Sequence, residues 1–212
     1  MTPGTATGRF VTIEGIEGVG KSTQVATLSQ ALTAKGIAHL VTREPGGTPL
    51  AEIIRDVVVK PREESLGSVP ELLLLFAARA VHLDNLIEPG LRAGHWVLCD
   101  RFTDATYAYQ GAGRGLDEAL IAQLETLVQG ARRPDLTILL DAPVAIALQR
   151  VSRRTGTGAL DRFESERAEF FERIRAAYLR RAAAEPQRFR VIDASRNAEK
   201  VSDDVRAAVL GD

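Results

Sequence analysis

Short apolar runs alternate with stretches of helical spacing along most of the chain. Phe10-Val11-Thr12-Ile13 is β-branched and apolar, reads as a buried strand, and stops just before Gly15. Ser22 to Lys35 has helical spacing and closes at Gly36, a C-terminal stop. Ile37 to Thr42 is a second strand, and Thr48 to Val58 a helix that ends before Pro61. Val69 to Arg92 reads as one long helix, with Pro70 in its first turn and Gly94 just beyond it. Trp96 to Cys99 is a third strand running into Asp100, and Asp117 to Gln129 a helix. Leu136 to Leu140 is a strand ending at Asp141, followed by a helix from Pro143 to about Arg153. Glu166 to Ala184 (helix), Phe189 to Ile192 (strand) and Ala198 to Leu210 (helix) complete the pattern.

Strands that alternate with helices imply parallel pairing through helical crossovers, with both sheet faces covered. The expected fold class is therefore α/β, three-layered, with a five-stranded parallel sheet. In such sheets ligands sit beyond the carboxyl ends of the strands. The chemistry should gather after Ile13, Thr42, Cys99, Leu140 and Ile192, where the polar and glycine-rich segments lie.

Composition narrows this picture. The 212 residues suit one domain, 1–212, and 45% apolar with 26% charged residues is ordinary for a globular protein. A formal net charge of −1 gives no field for a nucleic acid polymer, although a local arginine cluster can grip one nucleotide. Cys99 is the single cysteine, so neither a disulfide framework nor a cysteine zinc site is expected. His39, His82 and His95 are scattered and form no metal set. The N-terminal MTPGTATGR lacks the apolar core of a signal peptide, and the apolar stretch from Leu72 to Ala78 is far short of a membrane span. A cytoplasmic setting without membrane contact is the expectation.

Gly15-Ile16-Glu17-Gly18-Val19-Gly20-Lys21-Ser22 fits G-x-x-x-x-G-K-[ST] between a strand and a helix. Its glycines let the backbone curl with N–H groups inward, and those donors join the next helix N-terminus in binding phosphate oxygens. Lys21 can reach the β- and γ-phosphates of ATP, and the Ser22 hydroxyl can ligate Mg2+. A small GTPase would carry a guanine-reading N-K-x-D segment, which this chain lacks.

Three further segments read as a second nucleotide site. Thr42 to Thr48 (T-R-E-P-G-G-T) is also readable as a plain strand-to-helix turn. Phe76-Ala77-Ala78-Arg79 lies in an apolar helix, where an arginine can instead snorkel to solvent. Asp100 to Gly111 (D-R-F-T-D-A-T-Y-A-Y-Q-G) starts with a carboxylate at the place where P-loop proteins hold one near the metal; a helix cap is the other reading.

Together these motifs, in order from about Phe10 to the C-terminus, closely resemble the bacterial thymidylate kinase family. The resemblance implies a P-loop nucleoside-monophosphate-kinase-like fold that moves the γ-phosphoryl group of MgATP onto dTMP, within a homodimer. Gly15, Gly18, Gly20, Lys21, Ser22 and Thr23 match the ATP side, with Ser22 and Asp100 toward Mg2+. Glu17 matches an acidic residue near the sugar 3′-hydroxyl and the metal. Glu44 and Pro45 match the loop lining the dTMP pocket, while Arg55, Arg79 and Arg101 match arginines at the acceptor. Planar guanidinium donors suit a dianionic phosphate. Thr106 and Gln110 match residues at the thymine edge. An aromatic residue four places before the helical arginine stacks on thymine in many relatives; here that place holds Leu75, and Phe76, one step along, is the aromatic candidate. Many relatives have Ser at the position of Ala105.

Some family members carry an arginine inside the P-loop, where this chain has Gly18. Arg150-Val151-Ser152-Arg153-Arg154-Thr155-Gly156-Thr157-Gly158 offers a replacement, similar to the family's mobile lid, over about 150–162. Arg153 is the catalytic candidate beside Lys21, Arg101 and Glu17, and Arg150 and Arg154 are candidates for the ATP side. A solvated helix end, favoured by the helix dipole, is the other reading of these arginines. The arginines of the following helix, Arg167, Arg173, Arg175, Arg180 and Arg181, read as a solvated face with Glu partners. Asp193-Ala194-Ser195 follows the last strand, where related kinases border adenine.

Overall fold

The computed structural model describes residues 8–61, 63–155 and 162–211. Five strands, β1 (Phe10–Glu14), β2 (His39–Arg43), β3 (Trp96–Asp100), β4 (Leu136–Asp141) and β5 (Phe189–Asp193), form one sheet in the order β2-β3-β1-β4-β5. Every pairing is parallel, with Ile13 opposite Asp100 on one side and Ile138 on the other. The central strands β1, β3 and β4 are almost wholly buried, whereas the edges β2 and β5 keep exposed positions. Burial on both faces follows the two-residue period of a strand. Val11 and Ile13 pack in a cluster with Leu28, Leu32, Val205 and Val209, while Phe10, Val97 and Cys99 pack with Leu83 and Ile87.

Helices α1 (Lys21–Ala34) and α2 (Pro49–Val59) fall where the apolar spacing predicts them, and Thr48 caps α2 through its hydroxyl. The single helix expected over Val69 to Arg92 is instead α3 (Ser68–His82), a π-helical segment Leu83–Ile87, and α4 (Glu88–Arg92). Pro89 supplies the reason. It has no N–H to donate, and it falls in the first turn of α4, where that N–H would have no helical partner. The segment after β3 is also helical: α5 (Thr103–Thr106) runs into a π-helical segment, Tyr107–Gly113. Thr, Tyr and Gly are poor helix formers, so this piece had no periodic signal. Packing of Tyr107 against Leu72, Phe76 and Ile121 overrides the propensity. Helices α6 (Glu118–Gln129), α7 (Val144–Thr155), α8 (Arg162–Ala184) and α9 (Ala198–Leu210) complete the layers.

All five strands end on the same edge of the sheet. Glu14, Arg43, Asp100, Asp141 and Asp193 are their last residues. The chain passes from β1 out to the edge strand β2, returns to place β3 between them, and then crosses β1 to add β4 and β5 on the other side, so a crevice opens above β1.

Candidate functional site

The first cavity, of about 510 Å³, lies above the end of β1 and is lined by Glu17, Gly18, Gly20, Lys21, Ser22, Thr23, Asp100, Arg101 and Arg150, with Arg43, Glu44 and Arg55 at its far wall. Gly15, Gly18 and Gly20 all take positive φ. At Gly18 a second constraint adds to this: a Cβ there would fall on the Ala147 carbonyl oxygen and press on Val151. The loop thus lies directly on the first turns of α7, and no side chain fits between them.

Lys21 is folded back on its own loop, its Nζ donating to the carbonyls of Gly15 (3.0 Å) and Ile16 (2.9 Å). Burial, and then the positive charge of Arg101, push its pKa down to about 7. A polyphosphate in the cavity opposes both effects, so the site is built around an anion that neutralises it. Asp100 Oδ1 is buried and has no hydrogen-bond partner among the described residues. An orphaned carboxylate oxygen is costly unless a water or ion completes it. Ser22 lines the same cavity, so the oxygen donors present suit a hard divalent ion that keeps its own waters.

The second cavity, about 320 Å³, opens beside the first between the end of β2, α2, α3 and the helical segment after β3. Glu17, Glu44, Arg55 and Arg101 line both. The Glu44–Pro45 peptide is cis. Glu44 is buried and accepts from Arg79 Nε (2.7 Å), with His82 Nδ1 3.1 Å from its other oxygen. Arg79, 3% exposed, also donates to Thr106 Oγ1 (2.9 Å) and lies over the rings of Phe76 and Phe102. Arg55 donates to the Pro45 carbonyl (2.8 Å), and burial together with Arg43 lowers its pKa. Thr106 and Gln110 line this cavity, with Val58, Val59, Leu75 and Ala105 as apolar wall.

Phe76 is a correction to the sequence reading. It is 2% exposed, packs with Leu72, Tyr107 and Ile121, and does not line the cavity; Leu75 does. One residue on a helix turns a side chain by about 100°, so Leu75 and Phe76 cannot share that wall. Among the described residues, Phe76 meets the site through the guanidinium of Arg79.

Arg101 sits at the junction of the two cavities, at φ 72°, an uncommon backbone region for a residue with a side chain. Its guanidinium donates to Glu17 Oε1 (3.3 Å), Tyr109 Oη (3.0 Å) and Tyr178 Oη (3.2 Å). Burial opposes its charge, but Tyr109, Tyr178, Glu17 and Glu14 around it raise its pKa well above the usual arginine value. Glu17 in turn accepts from Tyr109 (2.7 Å). Beneath them Glu14, fully buried, accepts from the Phe102 N–H (2.7 Å) and the Tyr178 hydroxyl (2.8 Å). Burial and the neighbouring Asp104 push its pKa up to about 8.

Sequence reasoning missed Glu14, Tyr109 and Tyr178. A lone acid ending an otherwise buried strand was a usable signal for Glu14, and Tyr109 lies inside the D-R-F motif. Tyr178 gave none, being a helical residue remote in sequence from its partners. The solvated-face reading of α8 also fails at two places. Arg181 pairs with buried Asp104 (2.6 Å) and covers the Tyr107 ring, and Arg175 forms a bidentate pair with Asp141 at the end of β4 (2.7 and 2.8 Å).

Among the lid candidates, Arg150 donates to the carbonyls of Ala194 (2.7 Å) and Ser195 (3.1 Å), tying α7 to the loop after β5. Arg153 is exposed on the last turn of α7. The side chain of Arg154, and Gly156 and Gly158 in the rest of the expected lid, lie outside the described residues.

A family model described as thymidylate kinase matches residues 13–205. A thymidylate kinase of Alcanivorax borkumensis is 57% identical over 194 residues, covering 92% of each chain. One from Chromohalobacter salexigens is 57% identical over 208 residues, 98% of this chain and 95% of its own length. The crystal structure of thymidylate kinase from Ehrlichia chaffeensis superposes with a TM-score of 0.76 at 33% identity, over 96% of this chain and 98% of that one.

Proposed function

The chain belongs to the thymidylate kinase family, and we propose that its two adjoining cavities transfer the γ-phosphoryl group of MgATP to dTMP, giving dTDP and ADP. The observation that carries this reading is that Glu17, Glu44, Arg55 and Arg101 line both cavities at once. A donor phosphate and an acceptor phosphate held on either side of them meet without a diffusing intermediate.

Phosphoryl transfer asks for positioning and positive charge. The P-loop N–H groups and Lys21 hold the β- and γ-phosphates. Arg55 and Arg101 hold the dTMP phosphate, while Arg79, with N–H groups committed to Glu44 and Thr106, shapes the base pocket. Ser22 and, through water, Asp100 fit Mg2+, which when bound supplies charge neutralisation across the donor phosphates. The dTMP phosphate is already a nucleophile at neutral pH, so no general base is assigned. Glu17, held by Arg101 and Tyr109, faces the sugar. Arg153 brings further positive charge from α7.

Leu50, Ile53 and Val57 of α2 are exposed, as are Val69 and Leu73 of α3. We assign a second copy of this chain to that face, in keeping with the homodimers of the family, and sedimentation at micromolar concentration tests it. No helix among the described residues is long and apolar enough to cross a membrane. A buried free cysteine, Cys99, fits a reducing cytoplasm.

The acceptor spectrum tests the function. ADP formation should depend on dTMP and be far slower with AMP or free thymidine. Fast ADP formation indifferent to the acceptor would contradict it.

A further inference from the structure

From the contacts of Gln110 we infer that Glu71 is a specificity-positioning residue. It orients the Gln110 amide so that a carbonyl oxygen is presented to the acceptor base, selecting a pyrimidine that carries a proton on N3. The inference rests on the reading of the second cavity as the dTMP pocket.

Gln110 lines that cavity and is 7% exposed. Its Nε2 donates to Glu71 Oε1 at 2.8 Å. Which end of the amide faces Glu71 follows from chemistry. Glu71 is 5% exposed and accepts from Arg114 Nε at 2.7 Å, so it is a carboxylate with only acceptors to offer. An amide oxygen turned toward it would place two acceptors together in a dry site. The nitrogen must therefore point at Glu71, and the carbonyl oxygen points the other way. That oxygen has no partner among the described residues.

An acceptor with a fixed direction at the cavity wall is a strict reader. It matches the N3–H of thymine or uracil. It meets a lone pair on the N3 of cytosine, leaving two acceptors face to face. Sites that hydrogen-bond a substrate group discriminate strongly against analogues lacking it, because the buried polar atom is left unpaired. Without Glu71 the amide is free to turn its NH2 inward, and the penalty on cytosine falls. Neither the thymine methyl nor the sugar is involved.

The simpler role for Glu71 is to tie α3 to the helical segment that carries Gln110, since Arg114 follows that segment directly. Three acceptors separate the two roles: dTMP, dUMP, which keeps N3–H but lacks the methyl, and dCMP, which lacks N3–H. The kcat/KM for each is measured in the wild type, Glu71→Gln and Glu71→Met. In either Glu71 variant the dTMP/dCMP ratio should fall by ~10-fold or more, while the dTMP/dUMP ratio stays within about twofold. The proposal is overturned if the wild type does not discriminate against dCMP, if both Glu71 variants keep the dTMP/dCMP ratio, or if both ratios fall together, as a loosened pocket alone would make them. A Glu71 variant that does not fold leaves the other to decide. An absence of dTMP turnover in the wild type would instead remove the reading of the pocket itself.

Discussion

Arg101 and Glu17 lie 3.3 Å apart at the boundary of the two cavities, each lining both, with Tyr109 hydrogen-bonded to the pair. An ion pair in that position is replaceable: an incoming phosphate competes for Arg101, and a sugar hydroxyl for Glu17. The pair therefore holds Arg101 extended into the site before substrate arrives, which reduces the reorganisation needed on binding.

Arg101→Ala should raise the KM for dTMP by ~10- to 100-fold and that for ATP much less, because a buried charge-assisted donor is worth roughly 1.5–3 kcal/mol. Arg101→Lys should recover little, since an ammonium lacks the planar fork and has three donors for Glu17, Tyr109, Tyr178 and a phosphate. Initial rates with each substrate varied in turn measure both constants. Equal effects on the two substrates would remove Arg101 from the acceptor side.

Gly18 lies against α7, the helix that carries Arg150 and Arg153. Gly18→Ala should cost about 1–3 kcal/mol in stability from the positive φ and the overlap with Ala147. It should also weaken ATP binding more than dTMP binding. Denaturant titration and nucleotide titrations check the two effects. A P-loop arginine in this chain would have to displace α7, which is why its extra charge is expected from α7 itself.

Arg150 and Arg153 should separate by function. Arg150 fastens the loop after β5, so Arg150→Ala should raise the KM for ATP by ~5- to 10-fold with a smaller change in kcat. Arg153, exposed and unburdened by such a role, should lose ~10²-fold or more in single-turnover rate as Arg153→Ala if it reaches the transferring phosphoryl group, with dTMP affinity little changed. Transfer within about threefold of wild type would leave it a solvated helix end.

Glu14 predicts a pH dependence. Its pKa is raised from 4.5 to about 8 by burial and Asp104, against the opposing pull of Arg101, Tyr178 and the Phe102 N–H. Between those values the unfolded chain has released this proton and the folded chain keeps it, so stability falls as pH rises from 4.5 to about 8 and is flat above. Asp104, lowered despite its burial by Arg188 and Arg181, acts in the opposite sense but below that window. Unfolding midpoints across it should therefore drop in the wild type relative to Glu14→Gln. A constant difference between the two proteins would mean that Glu14 carries its charge at little cost.

Much of this was readable from the chain because local rules and tertiary demand agree there. Strand–glycine–helix at Ile13 to Ser22 forces a phosphate cradle whatever surrounds it, and the apolar β1, β3 and β4 can only be central strands. The reading failed where partners are distant. The apolar spacing of α3 does not distinguish Leu75 from Phe76 at the pocket wall, because rotation about the helix axis is fixed by Tyr107 and Ile121 from elsewhere. Arg181 looked like surface until Asp104, in a segment with poor helix propensity, came beneath it. Tyr178 reaches Glu14 and Arg101 only because α8 folds back over the sheet.

The fate of the γ-phosphorus decides the central claim. With ATP, Mg2+ and dTMP, phosphorus NMR should show the γ-resonance of ATP replaced by the β-resonance of dTDP, one for one with ADP, and Lys21→Ala should slow that exchange by at least ~10²-fold while remaining folded. Appearance of inorganic phosphate in place of dTDP, or full-speed transfer by Lys21→Ala, would contradict the assignment of the two cavities as donor and acceptor sites.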